Sequence, residues 1–188
     1  GEEPDEFFTA GMLSLLAMFA VLLVLIYSLQ AQLQAYIGRP VIGFVVFILF
    51  ATLLNAMSSA TLIGSHLVHV QGLLTPVKMA IRSLSQIGLV FAGLGLTGML
   101  TGHALGYALI GVLGIIFAGP SIRLPSRDHF IGLFSYAKFS WLGSVERRTF
   151  GWVDVTVLGF FVASDLIGVY SVAWTISTFL LIFSTAIS

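Results

Sequence analysis

Long apolar runs, broken by short polar stretches, set the pattern of this 188-residue chain. Phe7 to Leu29 is apolar almost throughout, and a bilayer crossing takes roughly 20 such residues, so a spanning helix is predicted there. The stretch "QAQLQAYIGRP" reads as a polar connection with a Gly–Arg–Pro stop. A second span is predicted from Val41 to Ile63. "GSHLVHVQGLLTPVK" reads as a loop, with a third helix starting near Pro76, where proline suits a first helical position. That helix carries Lys78 and Arg82 on its first turns and runs to about Leu96. A turn around Gly98–Gly102 leads to a fourth span ending near Ala118. "GPSIRLPSRDH" then interrupts the pattern with two prolines. A fifth segment covers Phe130 to Val162, longer than one crossing needs, and a sixth begins near Leu166. No strand-period alternation is sustained between turn signals. The expected fold class is all-α, a polytopic membrane bundle with about six transmembrane helices, because lipid demands that backbone groups bond internally.

Composition sharpens this picture. The chain is 58% hydrophobic and 9% charged, where soluble domains carry about 25% charged residues. Its mean hydropathy is +1.06. That much apolar surface cannot be hidden from water at this length, so the solvent is mostly lipid. A formal net charge of zero argues against a nucleic-acid partner, which calls for a basic face. With no cysteine, disulfides, thiol catalysis and thiolate metal sites are excluded. The first residue is Gly and the last falls in an apolar run, so the chain reads as an internal piece of a longer protein. With six spans, one side receives the acidic "GEEPDE", Lys78, Arg82, Arg123 and Arg127, and the other receives Arg39. The side richer in Lys and Arg is expected to be cytoplasmic, which puts residue 1 there.

Few residues offer chemistry. The stretch "GLVFAGLGLTGMLTGHALGYALIGVLG" holds the small-xxx-small pairs Gly98/Gly102 and Gly102/Gly106, which allow close helix packing. His66 and His69 stand three apart, but a metal site needs three or four ligands and no carboxylate is near them in sequence. "GLGLTG" lies in an apolar run rather than after a strand, so it is no phosphate loop. No catalytic residue, metal or cofactor is expected. The remaining feature is "SWLGSVERRTFGWVDVTVLGFF", which sets Glu146, Arg147, Arg148 and Asp154 in an apolar run. Charges at bilayer depth cost about 2.5–3.5 kcal/mol each on insertion scales and normally face a bundle interior or a watery cavity. On a helix, Arg147, Gly151 and Asp154 share one stripe. Either these groups line a cavity, or they pair with other helices or reach headgroups. Arginine's planar fork suits phosphate oxygens, so the four are the substrate and cavity candidates.

The stretch "FSYAKFSWLGSVERRTFGWVDVTVLGFFVASDLIGVYSVAW" resembles the start of the second half of a polysaccharide flippase of the multidrug/oligosaccharidyl-lipid/polysaccharide exporter superfamily. The shared pattern is Asp154, Leu158–Gly159, Gly168, Tyr170, Ser171 and Ala173. Ala137 stands where such proteins often have proline, and "ERR" is not part of the pattern. Upstream, "LLNAMSSATLIGSHLVHVQGL" also fits. The resemblance implies a transporter of 12–14 helices in two bundles. Residues 1–118 would be the last four helices of the first bundle, 119–129 a cytoplasmic linker, and 130–188 the first two helices of the second. It also implies transport of a lipid-linked oligosaccharide or polysaccharide precursor across the cell membrane by alternating access, coupled to an ion or proton. Leu158, Gly159, Gly168 and Tyr170 would be structural motif positions. Arg147 and Arg148 would meet the anionic glycan lipid's phosphate, with Glu146 and Asp154 as counter-charges or coupling groups. The competing reading is a multidrug or cation antiporter of the same fold, for which an acidic cavity is expected; a membrane-embedded glycosyltransferase is a further alternative.

Overall fold

A computed structural model of the protein describes the backbone of residues 3–37 and 42–187, with side chains at 5–35, 42–138 and much of 153–177. Most of the described residues are helical, with no strand among them. The elements are α1 (Glu3–Ser28), α2 (Gln30–Ile37), α3 (Ile42–Gly64), α4 (Val68–Leu89), α5 (Gly95–Ala118), α6 (Arg127–Phe161) and α7 (Ser164–Ile187). They form two compact units, Gly1–Leu133 and Phe134–Ser188.

Three segments among the described residues are long and apolar enough to cross a membrane: Asp5–Ser28, Ile42–Gly64 and Val68–Ala118. The third is 51 residues long and turns back on itself. At Val90–Leu94 the helix widens, and Gly93 takes φ 86° and Gly95 φ 50°, a hand that a β-carbon resists. The turn thus falls at Gly93–Gly95, not at Gly98–Gly102 as the apolar pattern suggested. Gly98 and Gly102 lie inside α5, where they serve packing instead.

Two further expectations are corrected. "QAQLQAYI" forms α2 rather than a polar connection, since Gln, Ala and Leu are good helix formers and no Gly or Pro intervenes. The Gly–Arg–Pro stop lies outside the described residues. The supposed loop before Pro76 is helical too: α4 starts at Val68 and contains Pro76. Membrane helices tolerate an internal proline because neighbouring groups re-satisfy the freed backbone. The break before α4 is a tight turn at Ser65–Leu67. His66 takes φ 60° there, its N–H donates to the Ile63 carbonyl, and the Leu67 N–H donates to the Leu62 carbonyl. This pair of bonds caps α3, and Leu67 packs back near Leu62.

α5 is the central helix of the first unit, packed against both α3 and α4. Its glycines make both contacts possible. A β-carbon on Gly102 would lie 2.5 Å from the Gln86 backbone nitrogen, and one on Gly106 would lie 2.7 Å from the Arg82 β-carbon. Gly111 and Gly114 instead meet α3 at Leu54, Asn55, Ser58 and Leu62. The partners of Gly98, Gly102 and Gly106 run Leu89, Gln86, Arg82, so α4 and α5 are antiparallel. The buried core joins Leu62, Leu74 and Ile110.

The end of α5 is tied to α1. After Gly119, a non-helical segment runs to Ser126. The Ser121 N–H donates to Asp5 Oδ1 (3.1 Å), the Arg123 N–H to Thr9 Oγ1 (3.2 Å), and the Arg123 guanidinium stands 3.9 Å from Asp5. His129, in the first turn of α6, meets Glu6 at 3.1 Å through Nε2 and packs edge-on to Phe7. In the second unit, Tyr170 stacks near Trp174 on α7, with centroids 6.4 Å apart.

Candidate functional site

With α4 starting at Val68, Lys78 and Arg82 take on a different meaning. They are the eleventh and fifteenth of its 22 residues, roughly 15 and 21 Å along a helix of about 33 Å at 1.5 Å per residue. They are mid-helix groups, not loop groups. They also belong to a polar stripe, Gln71, Thr75, Lys78, Arg82 and Gln86, spaced by four, three, four and four. The stripe faces protein at several points. Gln71 Nε2 donates to Ser59 Oγ of α3 (2.9 Å), and Gln86 Nε2 donates to the Met99 carbonyl of α5 (3.0 Å).

Opposite the cations, α5 supplies His103 and Tyr107, one turn apart. The two rings stack with centroids 4.9 Å apart and 15° between planes. Lys78 Nζ lies over the Tyr107 ring, 5.0 Å from its centroid, a cation–π contact. Arg82 rises beside Gly106. All four side chains are half-buried. Among the described residues no carboxylate forms an ion pair with Lys78 or Arg82; the ion pairs described are Arg123–Asp5 and His129–Glu6. The site is a positive patch in an apolar hairpin, able to attract an anion and unsuited to a cation. An open cavity of about 420 Å³ lies nearer the hairpin turn, lined by Ser83, Gln86, Ile87, Val90, Phe91 and Met99.

The residues singled out from sequence fare differently. Glu146, Arg147, Arg148 and Asp154 fall on α6, but their side chains lie outside the described residues. Leu158 and Gly159 sit near the end of α6, and Gly168 and Tyr170 on α7. His66 is in the turn and His69 in the first turn of α4, both exposed, so the shared helical face that would pair them does not form. Among the described residues no group of three or more metal-ligating side chains occurs. A helix start at Pro76 hides the α4–α5 cluster, because it puts Lys78 and Arg82 on the first turns. The spacing of Gln71 and Thr75 to Lys78, Arg82 and Gln86 was the available signal.

No family model and no solved structure matches the chain. Two curated proteins of Haloferax volcanii do. The chain is 30% identical to "Probable flippase AglR" over 190 residues, covering 98% of this chain and 39% of that protein. It is 24% identical to "Probable low-salt glycan biosynthesis flippase Agl15" over 196 residues, covering 100% of this chain and 40% of that protein. The chain thus spans about two-fifths of the length of these relatives. End-to-end similarity and the apolar helices make it part of a multi-pass membrane protein. Over its whole length the chain is thus similar to two proteins named as probable flippases.

Proposed function

We propose that the protein to which this chain belongs is a flippase that carries a lipid-linked anionic glycan across the cell membrane by alternating access, and is a transporter rather than an enzyme. The observation that carries this reading beyond the relatives' names is the placement of Lys78 and Arg82 in the middle of an apolar helix without a described carboxylate partner. Such charges in a bilayer mark a substrate or ion path, and their sign fits a phosphate-bearing substrate. The same sign disfavours the cation antiporter.

In this reading the helices here are the third to eighth of 12–14 in two bundles, with the linker at residues 119–129. Lys78 and Arg82 drop out of the loop count, leaving Arg123 and Arg127 against Arg39. The balance still favours a cytoplasmic face for residue 1. Arg147 and Arg148 would contact the substrate phosphate, and Glu146 and Asp154 would serve as counter-charges or couple an ion or proton.

The test uses the full-length protein in a host whose own glycan exporter is deleted, with surface glycan as the readout. The wild type is expected to restore export, and the Arg147→Gln/Arg148→Gln double variant to lower it at least tenfold at equal membrane abundance. Unchanged export in that variant removes the pair from the cavity. A wild type that restores no export but expels cationic dyes overturns the flippase reading.

A further inference from the structure

We infer that the turn joining α4 to α5 is a lipid-embedded crown: it stays in the hydrocarbon of the leaflet farther from residue 5, and the open cavity beside it takes the chain of a bilayer lipid. The inference concerns how the first unit meets the membrane and does not depend on what the protein carries.

The side chains of the turn give the first reason. From Ile87 to Leu96 none can form a hydrogen bond, and from Ser83 to Ile122 there is no Asp, Glu, Lys or Arg. A turn that meets water is polar as a rule, and a segment at headgroup level carries Trp, Tyr, Lys or Arg. Yet every residue from Val90 to Thr97 is exposed, Phe91 by 88%. An exposed apolar patch marks a contact surface, and continuity names the partner. On the side of α4 opposite its polar stripe, Leu73, Val77, Leu84 and Ile87 are exposed at helical spacing, and Phe91 follows on the same line. This is the outer flank of a segment apolar enough to cross a membrane. The lipid-facing stripe therefore runs without a break into the turn.

Packing sets the depth. Gly111 is level with Asn55 and Gly114 with Ser58, so α5 runs parallel to α3, and counting back brings Gly98 level with Ile42, where α3 begins. Gly93–Gly95 then stands roughly 5–8 Å beyond that start, at 1.5 Å per residue. The turn crests where the spans end and does not project as a loop. The backbone suits a dry setting. Thr97 Oγ1 donates to the carbonyl of Leu94 (2.6 Å), which lies between the two left-handed glycines, and Gln86 Nε2 donates to the Met99 carbonyl (3.0 Å). The two hydrogen-bonding side chains that flank the crown thus serve backbone carbonyls, a task that water performs at an exposed loop and hydrocarbon cannot. The cavity opens from the same surface, because Ile87 and Phe91 belong both to its wall and to the lipid-facing stripe. With Gln86 committed, Ser83 is the only other polar side chain among the residues that line it. Such a wall suits a hydrocarbon chain and offers nothing to a headgroup.

The test is spin labelling of the full-length protein in phospholipid nanodiscs, with single cysteines in a background that has no other. Phe91→Cys and Ala92→Cys report on the crown, Ser83→Cys on the cavity, and Leu124→Cys, at a position 95% exposed in the non-helical segment, is the aqueous reference. The relaxing probes are oxygen, which concentrates in hydrocarbon, and a water-soluble nickel chelate. Labels at Phe91 and Ala92 are expected to respond to oxygen and to be several-fold less accessible to the chelate than the label at Leu124. Chelate access equal to the reference places the crown in water and overturns the inference. Low access to both probes means that another part of the protein covers the crown, and overturns it as well. The label at Ser83 is expected to behave like that at Phe91, and chelate access there overturns the lipid chain in the cavity. As an independent measurement, Phe91→Asp is expected to lower the melting temperature in nanodiscs by several degrees while Phe91→Leu leaves it unchanged. If Phe91→Asp melts with the wild type, the crown is not in lipid.

Discussion

The α4–α5 contact stands or falls on Gly102. An alanine there would put its β-carbon 2.5 Å from the Gln86 nitrogen and 2.8 Å from its α-carbon, where ordinary carbon contacts lie at about 3.5–4.0 Å. The obstacle is backbone, so no rotamer relieves it. The helices must separate by about 1 Å, and Gly98 and Gly106 share the contact, so the whole seam opens. Overpacking of this kind costs about 1–3 kcal/mol. The gain in helix propensity from glycine to alanine, about 1 kcal/mol, works the other way. The net loss is therefore about 0–2 kcal/mol, with valine worse than alanine. Gly88, on the same hairpin, provides the reference, since a β-carbon there meets nothing within 4 Å. Gly88→Ala should be neutral or slightly stabilising. Thermal unfolding of the purified full-length protein in detergent gives the comparison. Gly102→Val should melt several degrees below Gly88→Val, and Gly102→Ala below Gly88→Ala. If the Gly102 and Gly88 variants melt together, the seam is not packed as described.

Other predictions follow from single positions. His66→Gly should be neutral or stabilising by up to about 1 kcal/mol, and His66→Val should be destabilising, because the turn needs a left-handed backbone; melting temperatures decide it. His129→Gln or Glu6→Gln should speed hydrogen exchange in residues 119–126, because each removes a tie between α6 and α1; the stability change itself should be about 1 kcal/mol, as for a surface pair with partly covered side chains. Arg82→Gln should leave the melting temperature unchanged or raise it. A cation with no described carboxylate partner has little to lose, and a drop of several degrees would instead show a structural partner elsewhere in the protein.

The sequence made the helices legible and misled about where they turn. Apolar length is a coarse signal, and it located Phe7–Leu29, Val41–Ile63 and the segment from Leu166 within a few residues of α1, α3 and α7. Turns are local, and here local signs pointed the wrong way. Pro76 looked like a helix start but sits inside α4, while the real start follows His66, a residue whose φ no composition rule announces. The glycines from Gly93 to Gly114 look alike in sequence. Gly93 and Gly95 bend the chain, whereas Gly98, Gly102 and Gly106 meet α4, and Gly111 and Gly114 meet α3. Which glycine does which depends on register between helices, and one chain's pattern does not encode that plainly.

The misplaced start of α4 also hid the site. Read as the first turn of a helix, Lys78 and Arg82 are headgroup anchors and need no explanation. Read at mid-depth, each carries an insertion cost of about 2.5–3.5 kcal/mol. The face of Tyr107 returns about 0.5–2 kcal/mol to Lys78. Nothing described returns as much to Arg82. The hairpin is therefore left with a positive charge that its own residues only partly offset. A permanent carboxylate neighbour would neutralise it at all times and leave no affinity for an anion. On the proposed reading, a phosphate-bearing substrate would offset it only while bound, which is the condition a carrier needs: a site too well satisfied alone would not load, and one satisfied only by its cargo both binds and releases.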